Sequence, residues 1–67
     1  MRAGETELQM CVRHVAEQEA RIARQEILIE RLRKIGSSLL LDDALRLLDA
    51  MQDLLKSMRE HAARLSN

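Results

Sequence analysis

The chain has 67 residues, with eleven Lys and Arg, eleven Asp and Glu, one Cys and no aromatic residue or Pro. A chain this short stabilises its own fold by only a few kcal/mol, and one Cys cannot form an internal disulfide, so self-association is the expected remedy. The balanced, interleaved charge disfavours a generic polyanion-binding protein. With no apolar run of signal-peptide or membrane-spanning length, we expect a soluble, cytoplasmic protein.

The first predicted helix covers about residues 6–35. Thr6 and Gln9 have the spacing of a capping box, in which each side chain accepts a hydrogen bond from a backbone N–H of the first turn. Lys34 and its basic neighbours fall in the last turns, where cations favour the negative end of the helix dipole. Gly36 follows as a residue able to adopt the left-handed conformation that ends a helix.

A turn at residues 36–38 and a second helix at about 39–65 complete the chain. Ser38 is the expected N-cap of this helix, with Asp42 and Asp43 as acids of its first turn. Two helices of matched length joined by a short turn predict an antiparallel hairpin.

The hairpin is predicted to form one domain, residues 1–67. We expect its turn end to be the best-packed part, because apolar residues of both helices meet there. The residues before the turn are Leu28, Leu32 and Ile35, and those after it are Leu39, Leu40 and Leu41.

Both predicted helices carry apolar side chains at heptad spacing. Helix 2 has a wide stripe that includes Leu47 and Leu54 at g, which is typical of a helix with more than one neighbour. The d positions of helix 1 include Gln18 and Gln25, either buried amides that restrict the register or half-exposed residues at an uneven edge. We therefore predict an all-α antiparallel helical hairpin that assembles as a four-helix bundle or coiled-coil dimer. The predicted shared core and oligomer interface consists of Val15, Ile22, Ile29, Leu32, Leu41, Leu45, Leu48, Met51, Leu55 and Met58.

Two further surface patterns are present. A second stripe of small residues on helix 1 is either an oligomer contact or a run of good helix formers on a half-exposed face; it contains Ala16, Ala20, Ala23 and Ile27. Acid-before-base pairs four residues apart are expected to support the helices. These pairs are Glu17 with Arg21, Glu30 with Lys34, Asp42 with Arg46, and Glu60 with Arg64.

One group of residues has metal-ligand chemistry. Cys11 and His14 lie one turn apart, and antiparallel pairing is expected to bring His14 level with His61, so these three side chains are candidate zinc ligands. Alternatively, the two imidazoles make the free end of the hairpin sensitive to pH near about 6. The competing interpretation is that Cys11 is a small core residue and both His lie at flanking, half-exposed positions.

The stretch from His14 to Leu32, HVAEQEARIARQEILIERL, resembles a recurrent pattern in small uncharacterised two-helix proteins of alphaproteobacteria, especially rhizobia. The corresponding residues are His14, Val15, Ala16, Glu17, Glu19, Arg21, Ile22, Ala23, Arg24 and Gln25, then Gly36, His61, Arg64 and Leu65. The chain departs from the pattern at Ser37 and Ser38, where a His-Asp-Thr-like cap is expected. The resemblance implies a bacterial source and a two-helix form, without a biochemical role.

The sequence has no phosphate-binding loop, nucleophile elbow or zinc-protease motif, so we expect neither an enzyme nor a cofactor. The favoured function is a homo-oligomeric protein–protein interaction module. Its expected partner is a second copy of the chain, and other proteins are possible further partners. One alternative is a small regulator that contacts nucleic acid through the basic segment 31–34 at the turn. The other is a metal or redox sensor built on Cys11, His14 and His61.

Overall fold

The structure, a computed structural model, describes residues 4–66 and consists of two α-helices, α1 (Glu7–Ile35) and α2 (Ser38–Ser66). The two helices pack against each other along an elongated body of 48 × 21 × 15 Å. The predicted all-α antiparallel hairpin is confirmed.

Both predicted ends of α1 are confirmed. The Thr6 hydroxyl accepts a hydrogen bond from the Gln9 backbone N–H at 3.1 Å, and the Gln9 side-chain oxygen accepts one from the Thr6 N–H at 2.9 Å. At the other end Gly36 has φ of 83°, and its N–H donates to the Leu32 carbonyl at 2.9 Å. A single left-handed residue therefore ends α1 and reverses the chain.

The prediction of Ser38 as the cap of α2 is wrong. Ser38 is the first helical residue, and the Leu41 N–H donates to the carbonyl of Ser37 at 2.9 Å, so Ser37 holds the cap position. Because Gly36 completes the reversal alone, α2 begins one residue earlier than predicted. Asp42 and Asp43 then lie beyond its first turn, which contains no acid.

The core of the hairpin is small and lies in its middle. The buried apolar residues are Ile22, Ile29 and Ala44. Most of the predicted core lies half-buried along the same seam, namely Val15, Leu32, Leu41, Leu48, Met51, Leu55 and Met58. Leu45 is the exception, because it follows the d residue Ala44 and is 37% exposed. Leu45 therefore does not belong to the core of a single hairpin.

The turn end is not the best-packed part of the hairpin, contrary to the prediction. Ile35 and Leu39 are 74% and 75% exposed, and Leu40 is also exposed. Successive helical residues are rotated by about 100°, so three consecutive leucines cannot share one seam. Only Leu41 of that run turns toward α1 and becomes half-buried.

Candidate interaction surface

Two buried amides connect α1 to the backbone of α2. Gln18 is 2% exposed and donates from Nε2 to the Met51 carbonyl at 3.0 Å. Gln25 is also buried and donates from Nε2 to the Ala44 carbonyl at 2.9 Å. Buried amides are costly unless they are bonded, so these contacts favour this pairing of the two helices. Both residues are therefore buried amides and not half-exposed ones, and their role in restricting the register stays a prediction.

The amide network continues to the surface at one point. The Gln18 side-chain oxygen accepts a hydrogen bond from the Arg21 guanidinium at 3.3 Å. Arg21 is therefore oriented along α1 toward the seam and not toward Glu17, its predicted partner.

The exposed charges pair differently from the predicted helical pattern. Within residues 4–66, none of the four predicted pairs forms an ion pair. The Arg46 guanidinium pairs with the Asp43 carboxylate at 3.5 Å and not with that of Asp42. Between the helices, the Arg59 guanidinium of α2 bonds to the Glu19 carboxylate of α1. These side chains are about half exposed, so such pairs contribute at most about 1 kcal/mol each.

The candidate metal ligands do not form a site. In the part of the chain that the structure describes, no three His, Cys, Asp or Glu side chains lie close enough together to hold one metal ion. Cys11 is half-buried in the seam, and His14 is exposed. The Nε2 atom of His61 lies 3.7 Å from a carboxylate oxygen of Glu7, which gives this imidazole an acidic neighbour at the open end of the hairpin.

Exposed leucines form a continuous row along one side of the hairpin. Leu40, Leu47 and Leu54 of α2 are spaced by seven residues and are 56%, 53% and 52% exposed. Leu28 of α1 is 44% exposed and lies beside the first two. We call these four residues the leucine face.

A groove of about 300 Å³ opens within the leucine face near the turn. Its walls are mostly aliphatic side chains from both helices, with one amide and one carboxylate. The lining residues are Gln25, Leu28, Leu32, Leu40, Asp43, Ala44 and Leu47. The groove exists because Ala44 is a small residue between two leucines, which leaves space above the seam for an aliphatic side chain of another molecule.

Leu28 and Leu40 were absent from the predicted interface set. The heptad pattern held a signal for them, because both occupy g positions, as do Leu47 and Leu54. In an antiparallel hairpin the g positions of the two helices lie on the same side, so the two rows combine into one surface.

The hairpin has more surface than a compact monomer of its size. Its accessible area is 5235 Å², whereas a compact protein of 7.7 kDa has about 4,300 Å². The radius of gyration of 15.5 Å likewise exceeds the roughly 11 Å expected for this length. The excess of about 900 Å² is close to the roughly 800 Å² that each partner buries in a standard protein interface.

The other two candidate surfaces are also exposed. The small-residue stripe of α1, including Ile27 at 54%, is open to solvent. The basic segment 31–34 contains exposed Arg31, Arg33 and Lys34, whereas Asp42 and Asp43 are exposed on the other side of the turn.

Comparison of the chain with protein families, with curated proteins and with solved structures found no match. The resemblance carried by residues 14–32 therefore stays a prediction. Within residues 4–66, neither helix contains an apolar stretch long enough to cross a bilayer.

Proposed function

We propose that this protein is a non-enzymatic protein–protein interaction module that self-associates as a homodimer through the leucine face. The observation that carries the proposal is the row of four half-exposed leucines, three of which, Leu28, Leu40 and Leu47, line a groove of about 300 Å³. The largest exposed apolar patch of a soluble protein is often a functional contact surface, which supports this assignment of the leucine face.

A second copy of the chain suits this surface in chemistry, and the elongated hairpin has accessible area available for an interface. The excess accessible area of each hairpin matches what one partner buries in a stable interface. The leucine face also resembles one layer of a helical bundle, because its residues repeat every seven positions along α2. Two such faces packed together form the four-helix bundle that the width of the α2 stripe predicts.

Leu47→Glu tests this proposal against a matched control, Ile27→Glu. The two side chains are 53% and 54% exposed and lie in the middle of different helices, so neither substitution disturbs the hairpin core. Burying the exposed half of Leu47 is worth about 1 kcal/mol in each copy, and the dimer contains two copies. We expect Leu47→Glu to weaken dimerisation at least ~30-fold and Ile27→Glu to weaken it less than ~3-fold.

Sedimentation equilibrium over a range of concentrations measures both dissociation constants, and circular dichroism at the same concentrations measures how much helix each variant retains. A compact, fully helical wild-type monomer at micromolar concentration would contradict the proposal. If Ile27→Glu dissociates the dimer and Leu47→Glu does not, the small-residue stripe of α1 is the interface in place of the leucine face.

A further inference from the structure

The side of the hairpin that carries the leucine face changes character along its length. Near the turn it presents Leu28, Leu40 and Leu47 around the groove. Near the open end the same side carries the contact between Glu7 and His61. The surface is therefore apolar at one end and ionisable at the other.

The g positions of α1 show the same gradient. From the turn to the open end they are occupied by Ile35, Leu28, Arg21, His14 and Glu7, all of which are exposed. Arg21 marks the boundary, because its guanidinium bonds to Gln18 while its aliphatic stem borders the apolar half.

Two hairpins that contact each other along their whole length through the leucine face can be arranged with two-fold symmetry in two ways. The symmetry axis runs either along the hairpins, so that both turns lie at the same end, or across them, so that the turns lie at opposite ends. The same residues form the interface in both cases, but different residues meet across it.

Opposite orientation matches the surface poorly. With α1 against α1 and the turns at opposite ends, Leu28 lies near His14 of the second copy and Ile35 lies near its Glu7. Arg21 approaches Arg21 of the second copy at the symmetry axis. On the α2 side Leu54 approaches Leu54 of the second copy, but Leu47 lies near its His61. Apolar groups then face ionisable ones, and like charges face each other, which disfavours this arrangement.

Equal orientation matches the surface well. With both turns at the same end, α1 of each copy packs against α2 of the other, and the apolar halves coincide. Leu28 then lies near Leu47 of the second copy, and Ile35 lies near its Leu40. Toward the open end Arg21 lies near Leu54 of the second copy and His14 near its His61, so the apolar contacts of this arrangement are concentrated at the turn end. Each helix of the bundle is antiparallel to both neighbours in either arrangement, so the side-chain contacts and not the helix directions favour equal orientation.

We propose that the partner of the leucine face is a second copy in the same orientation, with turn beside turn and the groove near the turn filled by a leucine of the other copy. This inference rests on the proposed self-association. It assigns the ionisable end of each hairpin to the open end of the dimer, where both Glu7–His61 pairs lie together.

Distances between spin labels on the two copies test the orientation. Lys34→Cys places a label near the turn and Ala63→Cys places one near the open end, each in a Cys11→Ala background; Lys34 and Ala63 are both exposed. Helices in a bundle lie 8–10 Å apart, so equal orientation gives short distances of roughly 20–30 Å at both positions. Each helix has 29 residues and is about 43 Å long, so opposite orientation gives roughly 35–45 Å at both.

Double electron–electron resonance on the full chain reads both distances. Short distances at both labels support equal orientation. A long distance at either label overturns equal orientation while leaving self-association intact. A dimer with opposite orientation and a lengthwise offset is recognised by an Ala63 distance longer than the Lys34 distance. Absence of any dipolar signal, together with a monomer in sedimentation, overturns the proposed function itself.

Discussion

The small core of the hairpin makes Ile29→Ala the most informative single substitution. Ile29 is 5% exposed and is one of the few apolar side chains buried by a single hairpin. Truncating a buried isoleucine costs about 2–5 kcal/mol, from lost burial and from the cavity left behind. A small single-core domain has only about 3–5 kcal/mol of stability, so this loss removes most of it.

Ile27→Ala is the matched control, two residues earlier in α1. Ile27 is 54% exposed, so truncation removes only about 1 kcal/mol of burial. Both substitutions gain the same helix propensity, about 0.4 kcal/mol, because both replace a β-branched residue with Ala. The difference between the two variants therefore isolates burial, and we expect it to be about 1–4 kcal/mol.

Urea and thermal unfolding followed by circular dichroism at one fixed protein concentration measure this difference. A change of 1 kcal/mol shifts the midpoint of a small domain by about 4–8 °C, so Ile29→Ala should melt at least ~4 °C below Ile27→Ala. Equal midpoints for the two variants would refute the placement of the core in the seam through Ile29.

Two further substitutions test separate features. Gly36→Ala meets no atom within 4 Å of the added Cβ, so its cost is the left-handed backbone alone, about 1–2 kcal/mol of unfolding free energy. Gly36→Asn should lose less in the same urea titration, and equal stability of Gly and Ala at this position would contradict the cap. Gln25→Leu removes the bond to the Ala44 carbonyl and should leave the unfolding free energy unchanged or raise it by about 1 kcal/mol. Sedimentation should then show a less uniform oligomer, whereas a strong loss of stability with an unchanged dimer would contradict a register role for the amide.

The elements and their packing stripe were predictable from local chemistry. Thr6 with Gln9, and Gly36, define helix ends by hydrogen bonds within a few residues, so the sequence contains the whole signal. The a and d positions likewise follow from the period of the helix, and Ile22 and Ile29 are buried where that period places them.

Features that depend on detailed geometry were not predictable. Whether Ser37 or Ser38 caps α2 depends on how many residues complete the reversal, and both have suitable side chains. Arg46 has two acids within reach, Asp42 and Asp43, and the choice between them depends on rotamers that spacing alone does not determine. The interaction free energies of alternative exposed ion pairs differ by well under about 1 kcal/mol, which is too little for a sequence pattern to predict the partner.

The interaction surface was predictable only in part, because exposure is a property of both helices together. The stripe of α2 already indicated that Leu47 and Leu54 face a second neighbour. The contribution of Leu28 requires knowing which flank of α1 lies beside that stripe, and the groove requires the small side chain of Ala44 at that level. A single helix pattern contains neither fact.

Buried amides and exposed leucines have complementary roles in this hairpin. Gln18 and Gln25 occupy two central d positions of α1, so the seam holds polar bonds where a stable monomer would hold leucines. The apolar side chains that would enlarge a monomer core lie instead on the leucine face, outside the seam. Because little apolar surface is buried within one chain, the proposed association supplies much of the burial that folding requires. Stability and self-association are then properties of the same pair of chains, and the amides fix the internal pairing of α1 with α2 on which a regular leucine row depends.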